Sequence, residues 1–313
     1  MNGENPGINN QLDPQNNNES QNKQKEDIEV KPIKEKKTIH GEYFVAFALV
    51  GLFFESYLFI FHTTRPFNTT SLILDIIYLL ILFMTLWSYI IVIKTPAGSI
   101  PLYWGFYIGD DDEKRKRYCL ICNAFKPERS KHCSICNTCV LNMDHHCPWV
   151  NNCIGFFNRK YFMQFIIYIE LLFIYTFICT GIELAPKFKI AIESKGYNYF
   201  ELIILTVNYL PIIIITVLFG KFVIYHIKLV LNNSSTIESL DQENKDKYKK
   251  FCLSTEENIE QVFGRKKIYW MLPIINEESR PVGDGLLWKV NNNAVNLRDI
   301  NPDNNENNNN NNN

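Results

Sequence analysis

The chain has almost no net charge and little apolar sequence at either end. Its 32 Lys and Arg residues nearly balance 33 Asp and Glu, giving a formal net charge of -1. Bulk charge therefore gives no reason to expect a nucleic-acid partner. The first apolar run begins only near Phe44, so we expect no secretory signal peptide.

Both ends also lack the residues that build a core. Residues 1–40 contain no Phe, Tyr or Trp and are rich in Asn, Gln and Lys. Such sequence cannot bury enough apolar surface to fold alone. We expect a disordered cytosolic tail over residues 1–40, with a partner-binding segment as the alternative. The Asn-rich residues 291–313 indicate a second, low-complexity tail.

Four long runs nearly free of charge lie between these tails. They cover residues 44–61, 72–93, 162–184 and 202–225. Each approaches the ~20 residues that a helix needs to cross a bilayer. A soluble core would not need four such runs. The sequence therefore predicts an all-α membrane fold with four transmembrane helices and a polar, Cys-rich segment, residues 94–161, between the second and the third.

The distribution of Lys and Arg predicts the orientation of these helices. The N-terminal flank is rich in Lys, and residues 94–161 and the C-terminal segment 226–290 carry both Lys and Arg, whereas the first interhelical loop has only Arg65. Lys187, Lys189 and Lys195 weaken this contrast in the loop between the third and fourth helices. The bias still places both termini and the Cys-rich segment in the cytosol, at an endomembrane or the plasma membrane. Asn68 begins a glycosylation sequon in a loop that would then be lumenal.

Several acidic residues fall in or beside the apolar runs, and three of them are singled out: Glu55, Asp75 and Glu170. Ionisable groups are costly in lipid and are candidates for function, for instance in a small transporter. The alternative is that they pair inside a four-helix bundle or sit near an interface. Too few polar residues follow a common path to favour transport.

Seven of the nine cysteines and three of the six histidines lie between residues 119 and 161. Repeated C-x-x-C pairs with interleaved histidines have the spacing of zinc ligands. In the reducing cytosol, clustered cysteines indicate metal ligands rather than disulfides. Two closed four-ligand zinc sites would use eight of these ten residues, leaving one Cys and one His. Counting alone does not decide which two remain.

The local sequence favours His145 and Cys147 as the two left over. They are two residues apart, and Asp144 precedes them. A histidine can take the thiol proton, and a carboxylate can orient the imidazole and stabilise its charged form. The cluster therefore has the parts of an activated nucleophile, with Cys147 attacking, His145 as base and Asp144 as its orienter.

The run from Asp144 to Cys147 reads Asp-His-His-Cys, and Pro148-Trp149 follows it. With its Cys-rich surroundings, this run resembles the DHHC family of protein S-acyltransferases, or palmitoyltransferases. Ser235-Thr236-Ile237-Glu238 resembles the family's Thr-Thr-x-Glu motif, although a helix start would explain it equally well. The other matching positions are Lys126-Pro127, Arg129, Asn151 to Gly155, Asn158, Asn258 and Val262 to Gly264, whereas Thr95 to Pro101 departs from the family's Asp-Pro-Gly turn.

This resemblance implies two interleaved structural zinc sites. One would be held by Cys119, Cys122, His132 and Cys139, and the other by Cys133, Cys136, His146 and Cys153. It leaves His145 and Cys147 free.

The resemblance also implies the reaction and the partners. A palmitoyl-type chain would move from acyl-coenzyme A to Cys147, making the enzyme transiently a lipoprotein, and then to cysteines of membrane-associated proteins. Membrane lipid, acyl-coenzyme A and these substrates would be its partners, and an accessory subunit stays open as another. Five basic residues are candidates for the coenzyme A phosphates or lipid headgroups: Lys126, Arg129, Lys131, Arg159 and Lys160. The alternative function is a membrane-anchored zinc module that recruits a partner without catalysis.

Overall fold

The computed structural model describes residues 39–64, 68–105, 117–194 and 199–291. Within these ranges, four helices are long and apolar enough to cross a membrane, which confirms the predicted four-helix fold. Their bounds are Ile39–Leu58 for α1, which continues as a π-helical turn over Phe59–Thr63, Thr69–Lys94 for α2, Arg159–Glu193 for α3 and Tyr199–Leu231 for α4. Each helix extends beyond the apolar run that predicted it.

The four helices are apolar on nearly every side. Only 17–39% of the residues in their most apolar windows are buried inside the protein. Large side chains such as Phe53, Leu80, Ile182 and Leu218 are exposed. A helix that is apolar all round suits a hydrocarbon solvent, where every backbone polar group must be satisfied internally. The chain is therefore a multi-pass membrane protein.

Hydroxyl side chains inside these helices bond to the carbonyl one turn earlier. The donor–acceptor pairs are Ser56 to Leu52, Thr85 to Ile81, Ser88 to Met84, Thr206 to Leu202 and Thr216 to Ile212, at 2.7–2.9 Å. Such a bond satisfies the hydroxyl without water. Ser and Thr can therefore occur within the spans without breaking them.

The helix α3 is central to the bundle, because it packs against both α2 and α4. The π-helical turn after α1 joins this bundle through Phe59, whose ring stacks on Tyr78 of α2 with centroids 4.2 Å apart. The Tyr78 hydroxyl is also hydrogen-bonded to Ser56 at 3.1 Å.

The three acidic residues singled out from the sequence are buried or contact a neighbouring helix. Asp75 and Glu170 are buried, and the Glu55 carboxylate accepts a hydrogen bond from Asn208 of α4 at 3.4 Å. A Cβ atom at Gly220 would lie 2.9 Å from Glu170 Oε1, so glycine there makes room for this carboxyl. These contacts favour packing within the bundle over transport.

Three short antiparallel hairpins form the module between α2 and α3. Their strands are β1 (Tyr118–Cys119) with β2 (Ala124–Phe125), β3 (Lys131–Cys133) with β4 (Thr138–Val140), and β5 (His145–Cys147) with β6 (Asn152–Ile154). Isolated hairpins are marginally stable in water. Strands this short require another source of stability, and bound metal can supply it.

The module is attached to the end of α2 by backbone carbonyls. Asn158 donates to the Thr95 carbonyl at 3.1 Å, and Asn152 donates to the carbonyls of Thr95 and Val92. Leu141 donates its N–H to the Gly98 carbonyl at 3.0 Å. The segment that follows α2, which contains Thr95 and Gly98, therefore fixes the position of the module.

The segment after α4 folds over the module and the helix ends. It contains α5 (Thr236–Leu240), α6 (Lys245–Lys249), α7 (Thr255–Phe263) and two 3-10 turns, Lys267–Trp270 and Glu277–Ser279. Of the predicted tails, residues 1–38 and 292–313 lie outside the described residues.

Candidate active site and metal centres

Two clusters of three cysteines and one histidine lie in the module. The first contains Cys119, Cys122, His132 and Cys139, and the second contains Cys133, Cys136, His146 and Cys153. The ligand atoms of each cluster lie within 4.8 Å of one another. The structure thus brings together the two sets that the family resemblance implied.

The spacing within the clusters suits tetrahedral zinc. Zinc–sulfur bonds of about 2.3 Å and zinc–nitrogen bonds of about 2.0–2.1 Å put neighbouring ligand atoms roughly 3.5–3.8 Å apart. His132 Nδ1 lies 3.3–3.8 Å from the three sulfurs of its cluster. His146 Nδ1 lies 3.4–3.8 Å from the three sulfurs of the second. Each cluster can hold one metal ion with four protein ligands, which leaves no open position for a substrate.

The second hairpin connects the two clusters. Its paired strand residues His132 and Cys139 belong to the first cluster, while Cys133 and Cys136 belong to the second. Hydrogen bonds from Cys153 and His146 lower the pKa of the Cys136 thiol, which favours the thiolate that a metal requires. Because the second hairpin contributes residues to both clusters, loss of metal from one cluster should disturb the other.

A 14-residue repeat relates the three hairpins, and sequence reasoning missed it. The first cysteine of each hairpin is Cys119, Cys133 or Cys147, and the numbers differ by 14 each time. The turn residues Asn123, Asn137 and Asn151 follow the same spacing, and all three have positive φ values of 46–55°. Asparagine tolerates this left-handed conformation better than most residues. The equal spacing of these three asparagines is the feature of the sequence from which the repeat could have been found.

The third hairpin departs from the repeat where it matters chemically. Val150 occupies the position of Cys122 and Cys136, so the third hairpin has no C-x-x-C pair. Cys147 belongs to neither metal cluster. Cys147 therefore occupies the hairpin position that in the other two copies belongs to a cluster able to hold a metal ion, but its own sulfur is left available.

Asp144 and His145 form a hydrogen-bonded pair beside Cys147. His145 Nδ1 lies 2.7 Å from Asp144 Oδ2, and Asp144 is 1% exposed. The guanidinium of Arg159 lies 3.7 Å from the other Asp144 oxygen. The Asp144 contact leaves His145 Nε2 as the ring nitrogen available for a proton from a thiol.

The electrostatics of the pair favour a charged histidine. Burial alone would lower the pKa of His145, but its hydrogen bond to Asp144 and its neighbour Cys147 raise it to about 9. Burial alone would raise the pKa of Asp144, but His145 and Arg159 hold it well below its usual range. An imidazolium at position 145 would stabilise an adjacent thiolate.

Cys147 lies where the module meets the membrane helices. It is 7% exposed and packs in an apolar cluster with residues of α2, α3 and α4, among them Val92, Phe162 and Val223. A 3-10 turn, Pro148–Val150, follows it directly. The Trp149 ring meets Phe44 of α1 at 5.3 Å, so α1 also contributes to this region.

Two residues near His145 were not predicted from sequence. Phe162 of α3 meets the His145 ring edge-on at 5.2 Å, and the ring of His226 from α4 lies 5.8 Å away. His226 is buried. Nothing in the local sequence marks it, because only the packing of α4 brings it to the site.

The C-terminal segment reaches the site through Thr236. Its backbone N–H donates to Asp144 Oδ1 at 2.9 Å, and its hydroxyl donates to Asp144 Oδ2 at 2.8 Å. Ser235 and Glu238 form a capping box around the same turn. The capping interpretation of this motif is correct, and Thr236 in addition holds the carboxylate that orients His145.

The five predicted phosphate ligands separate into two groups. Lys126 and Lys131 line a pocket of about 230 Å³ between the module and the C-terminal segment. Arg129 borders this pocket, but its guanidinium donates to Glu238 and Asn233. Arg159 and Lys160 are buried, and each donates to a carbonyl of the C-terminal segment. Arg129, Arg159 and Lys160 are thus engaged within the protein, Arg159 also beside Asp144, and their predicted contact with phosphate stays a prediction.

Two further predicted positions lie away from the site. Asn258 is buried in α7 and donates to the Leu231 carbonyl at 2.7 Å, which attaches this helix to the end of α4. Asn68 caps α2 by accepting from the Ser71 N–H at 2.9 Å, and its glycosylation stays a prediction.

Comparison with known proteins agrees with this geometry. The family model described as DHHC palmitoyltransferase matches residues 112–243, which include the three hairpins and the Thr236 turn. "Palmitoyltransferase PFA4" of Mycosarcoma maydis is 34% identical over 249 residues, 66% of this chain and 50% of the relative. "Palmitoyltransferase ZDHHC20" of Homo sapiens is 36% identical over 198 residues, 62% of this chain and 50% of the relative.

A plant relative is matched over more of its length. "Probable protein S-acyltransferase 14" of Arabidopsis thaliana is 34% identical over 235 residues, 67% of this chain and 75% of the relative. The chain thus spans half of the fungal and human relatives and three quarters of the plant one. With its sequence motifs and site geometry, the chain belongs to the DHHC palmitoyltransferase family of protein S-acyltransferases.

Proposed function

We propose that this chain moves a long acyl chain from acyl-coenzyme A to cysteine thiols of membrane-associated proteins, through an S-acyl intermediate on Cys147. One observation carries the proposal. Of the seven cysteines in the module, only Cys147 lies outside both metal clusters, and it is next to the Asp144–His145 pair. A free thiol beside an oriented imidazole is the arrangement of an activated nucleophile.

The first step forms the acyl-enzyme. The Cys147 thiolate attacks the thioester carbonyl carbon, so that a carbon–sulfur bond to Cys147 forms and the bond to coenzyme A breaks. The His145 imidazolium gives its proton to the departing coenzyme A sulfur. Asp144 keeps the imidazole oriented through the 2.7 Å contact at Nδ1.

The second step transfers the chain to the substrate. Neutral His145 takes the proton of the incoming thiol, whose sulfur attacks the acyl carbon and displaces Cys147 as a thiolate. This restores the starting thiolate–imidazolium pair. Each step exchanges one thioester for another, so the site's task is to position and activate thiols.

The surroundings of Cys147 suit a substrate with a long apolar tail. Its sulfur lies in an apolar cluster shared with α2, α3 and α4. Each buried methylene of an acyl chain contributes about 0.8 kcal/mol. We infer that the chain lies among the helices while its thioester reaches Cys147.

The pocket beside the module suits the phosphates of coenzyme A. Lys126, Lys131 and Arg117 line it together with Lys247 and Lys250 of the C-terminal segment. Lys250 is 2.8 Å from Glu128, which offsets part of this positive charge. Phosphate oxygens bind well where several cationic donors converge.

We further propose that both metal clusters hold zinc in a structural role and that the module faces the cytosol. Each cluster supplies four protein ligands, so metal would stabilise hairpins that have little core of their own. The Lys and Arg bias and the location of acyl-coenzyme A and reduced thiols support the cytosolic side.

The test is acyl-enzyme formation by the full chain in detergent. Wild type is incubated with labelled palmitoyl-coenzyme A beside Cys147→Ser and Cys252→Ser, each checked for its metal content. Hydroxylamine-sensitive label is expected on wild type and Cys252→Ser and should be absent from Cys147→Ser. A folded, metal-loaded wild type without label would contradict the proposal and favour a module that recruits a partner without catalysis.

A further inference from the structure

The last stretch that the structure describes, residues 281–291, contacts the module, and we name it the strap. It follows the second 3-10 turn and lies outside the residues that the family model matches. The Asn291 N–H donates to the Lys250 carbonyl at 2.7 Å. Gly285 approaches Phe156 so closely that an added Cβ atom would lie 2.8 Å from the Phe156 ring. The strap therefore joins the C-terminal segment to the residues that follow the third hairpin.

The side chain of Trp288 in the strap covers the guanidinium of Arg129. This guanidinium lies 4.3 Å from the centre of a Trp288 ring and 4.9 Å from the centre of the Phe251 ring. The Trp288 ring also meets Phe156 edge-on at 5.7 Å. A cation over an aromatic face is attracted to it, and more strongly where water is excluded. The Arg129 side chain is fully buried, so Trp288 contacts a cation that water does not screen.

A continuous series of buried polar contacts leads from Arg129 to the site. Arg129 donates to both carboxylate oxygens of Glu238 at 2.7 Å, and Glu238 Oε2 accepts from the Ser235 N–H at 2.9 Å. The next residue, Thr236, donates to Asp144 through its N–H and its hydroxyl. Glu238, Ser235 and Asp144 are all buried. Each contact in this series therefore restricts the geometry of the next one.

We propose that Trp288 is a positioning residue for acyl transfer, because its ring holds Arg129 in the geometry that keeps Thr236 on Asp144. The proposal rests on the proposed function and adds to it a residue remote in sequence from the thiol. Without the ring, water would reach the pair of Arg129 and Glu238 and weaken it by screening. The turn that carries Thr236 would then lose part of its support, and a displaced orienting group lowers the rate of chemistry.

The alternative is that the strap only shapes the basic pocket assigned to coenzyme A. Trp288 is not among the residues that line this pocket, but its neighbours Arg129 and Phe251 are. Loss of pocket shape would raise the concentration of acyl-coenzyme A needed for half-maximal labelling and leave the maximal rate unchanged. Loss of positioning would lower the maximal rate and leave that concentration unchanged.

The side-chain test measures single-turnover labelling of the full chain in detergent over a range of palmitoyl-coenzyme A concentrations. Trp288→Leu keeps an apolar side chain but removes the aromatic face, so the maximal rate should fall about tenfold. The half-saturating concentration should stay within about twofold of the wild-type value. Trp288→Phe should recover most of the rate, because it keeps a ring and because Trp288 Nε1 has no hydrogen-bond partner among the described residues.

The control for this series is Leu287→Ala, at the adjacent and exposed residue of the strap, which should match wild type. Metal content and melting temperature are compared for all variants. A raised half-saturating concentration with an unchanged maximal rate, or an unchanged rate in Trp288→Leu, would overturn the proposal. Because wild type is labelled in that case, the result would count against the strap and not against acyl transfer by Cys147.

A backbone test displaces the strap without changing Trp288. Gly285 and Gly283 both have positive φ values, of 75° and 100°, so alanine strains the backbone at either position. Only at Gly285 would the new Cβ atom also collide with Phe156, because at Gly283 the nearest atom of Phe156 is 4.0 Å away. Gly285→Ala should therefore lower the maximal rate more than its matched control Gly283→Ala. Equal rates in the two variants would refute the proposal.

A double variant tests the route from the strap to the site. Trp288→Leu and Thr236→Val are compared singly and combined, each with its metal content checked. If both changes act through the contact between Thr236 and Asp144, the combined loss of rate should be smaller than the product of the two single losses. Single losses that multiply in full would show that Trp288 acts independently of Thr236, contrary to the proposal.

Discussion

At the scale of single residues, the site depends on a buried carboxylate held from several directions. Asp144 contacts His145, accepts two hydrogen bonds from Thr236 and lies 3.7 Å from Arg159. Such a carboxylate can neither rotate nor readily take a proton. Its effect on chemistry passes through the orientation and charge of His145.

Asp144→Asn should therefore reduce acyl-enzyme formation by about a hundredfold or more, because the amide neither stabilises the imidazolium nor fixes its tautomer. The rate of single-turnover labelling measures this. Asp246→Asn, at an exposed carboxylate of α6, is the control and should match wild type. A near-normal rate in folded Asp144→Asn would show that His145 acts without its partner.

The pH dependence of labelling should follow His145. The charged groups around it are Asp144 and Arg159, with Cys147 and His226 as its titratable neighbours. Its pKa is raised from 6.5 to about 9. The stability from its charged form is complete below pH 6.5 and is lost as pH rises through about 9.

We therefore expect the labelling rate to fall as pH rises through about 9, when the proton for the departing coenzyme A is lost. In Asp144→Asn the fall should move toward pH 6.5. A rapid-quench or stopped-flow series across pH 6–10 measures the pH of the fall in the wild type and in Asp144→Asn. A rate that continues to rise beyond pH 9 would contradict the thiolate–imidazolium pair.

At the scale of elements, one hairpin type supplies the C-x-x-C pairs of both potential metal clusters and, in its third copy, the free thiol of Cys147. The third copy retains the turn asparagine and the first cysteine, but Val150 replaces the second cysteine. Its His146 and Cys153 complete the second metal cluster. Metal bound in that cluster would fix the strands on both sides of the turn that follows Cys147.

The metal content should be two zinc ions per chain, measured by elemental analysis of purified protein. Cys147→Ser should keep both, because it belongs to neither cluster. Cys136→Ser should lose at least one and also lose labelling, since its hairpin shares residues with the first cluster. Two ions retained in Cys136→Ser would disprove the assignment of the second cluster.

The turn at α5 gives a second prediction at this scale. Thr236→Val removes the hydroxyl donor to Asp144 but keeps the backbone N–H, so labelling should slow by about tenfold. Thr236→Ser keeps the hydroxyl and should stay near wild type. If Thr236→Val labels as fast as Thr236→Ser, the hydrogen bond from the Thr236 hydroxyl to Asp144 does not contribute to the labelling rate.

At the scale of the whole molecule, a buried ion pair joins the module to the C-terminal segment. The Arg129 guanidinium donates to both carboxylate oxygens of Glu238 at 2.7 Å, and it lies over the Trp288 ring at 4.3 Å. Arg129 and Glu238 are 109 positions apart in the chain. This contact holds Thr236, two residues before Glu238, against the site.

Arg129→Met should destabilise the chain by about 3–5 kcal/mol, because it leaves Glu238 buried without its partner. Thermal unfolding in detergent measures this. The double variant with Glu238→Met should recover part of the loss, whereas Arg280→Met, at an exposed pair, should change little. Equal melting temperatures for Arg129→Met and wild type would show that the pair adds no stability.

Much of this protein could be derived from the order of its residues. Hydrocarbon requires continuous apolar helices, so the four spans were readable as runs. Four-ligand metal sites leave two residues over in a set of ten, and the Asp-His-x-Cys spacing indicated which two. These features are local in sequence, and for that reason they did not require knowledge of the fold.

The tertiary structure decided what depends on distant contacts. The sequence of the spans shows no polar face, so only packing placed His226 beside His145. Arg129 resembled a phosphate ligand until its contact with Glu238 was known. A basic residue has the same sequence signature whether it faces a ligand or a buried carboxylate, and the partner across the fold makes the difference.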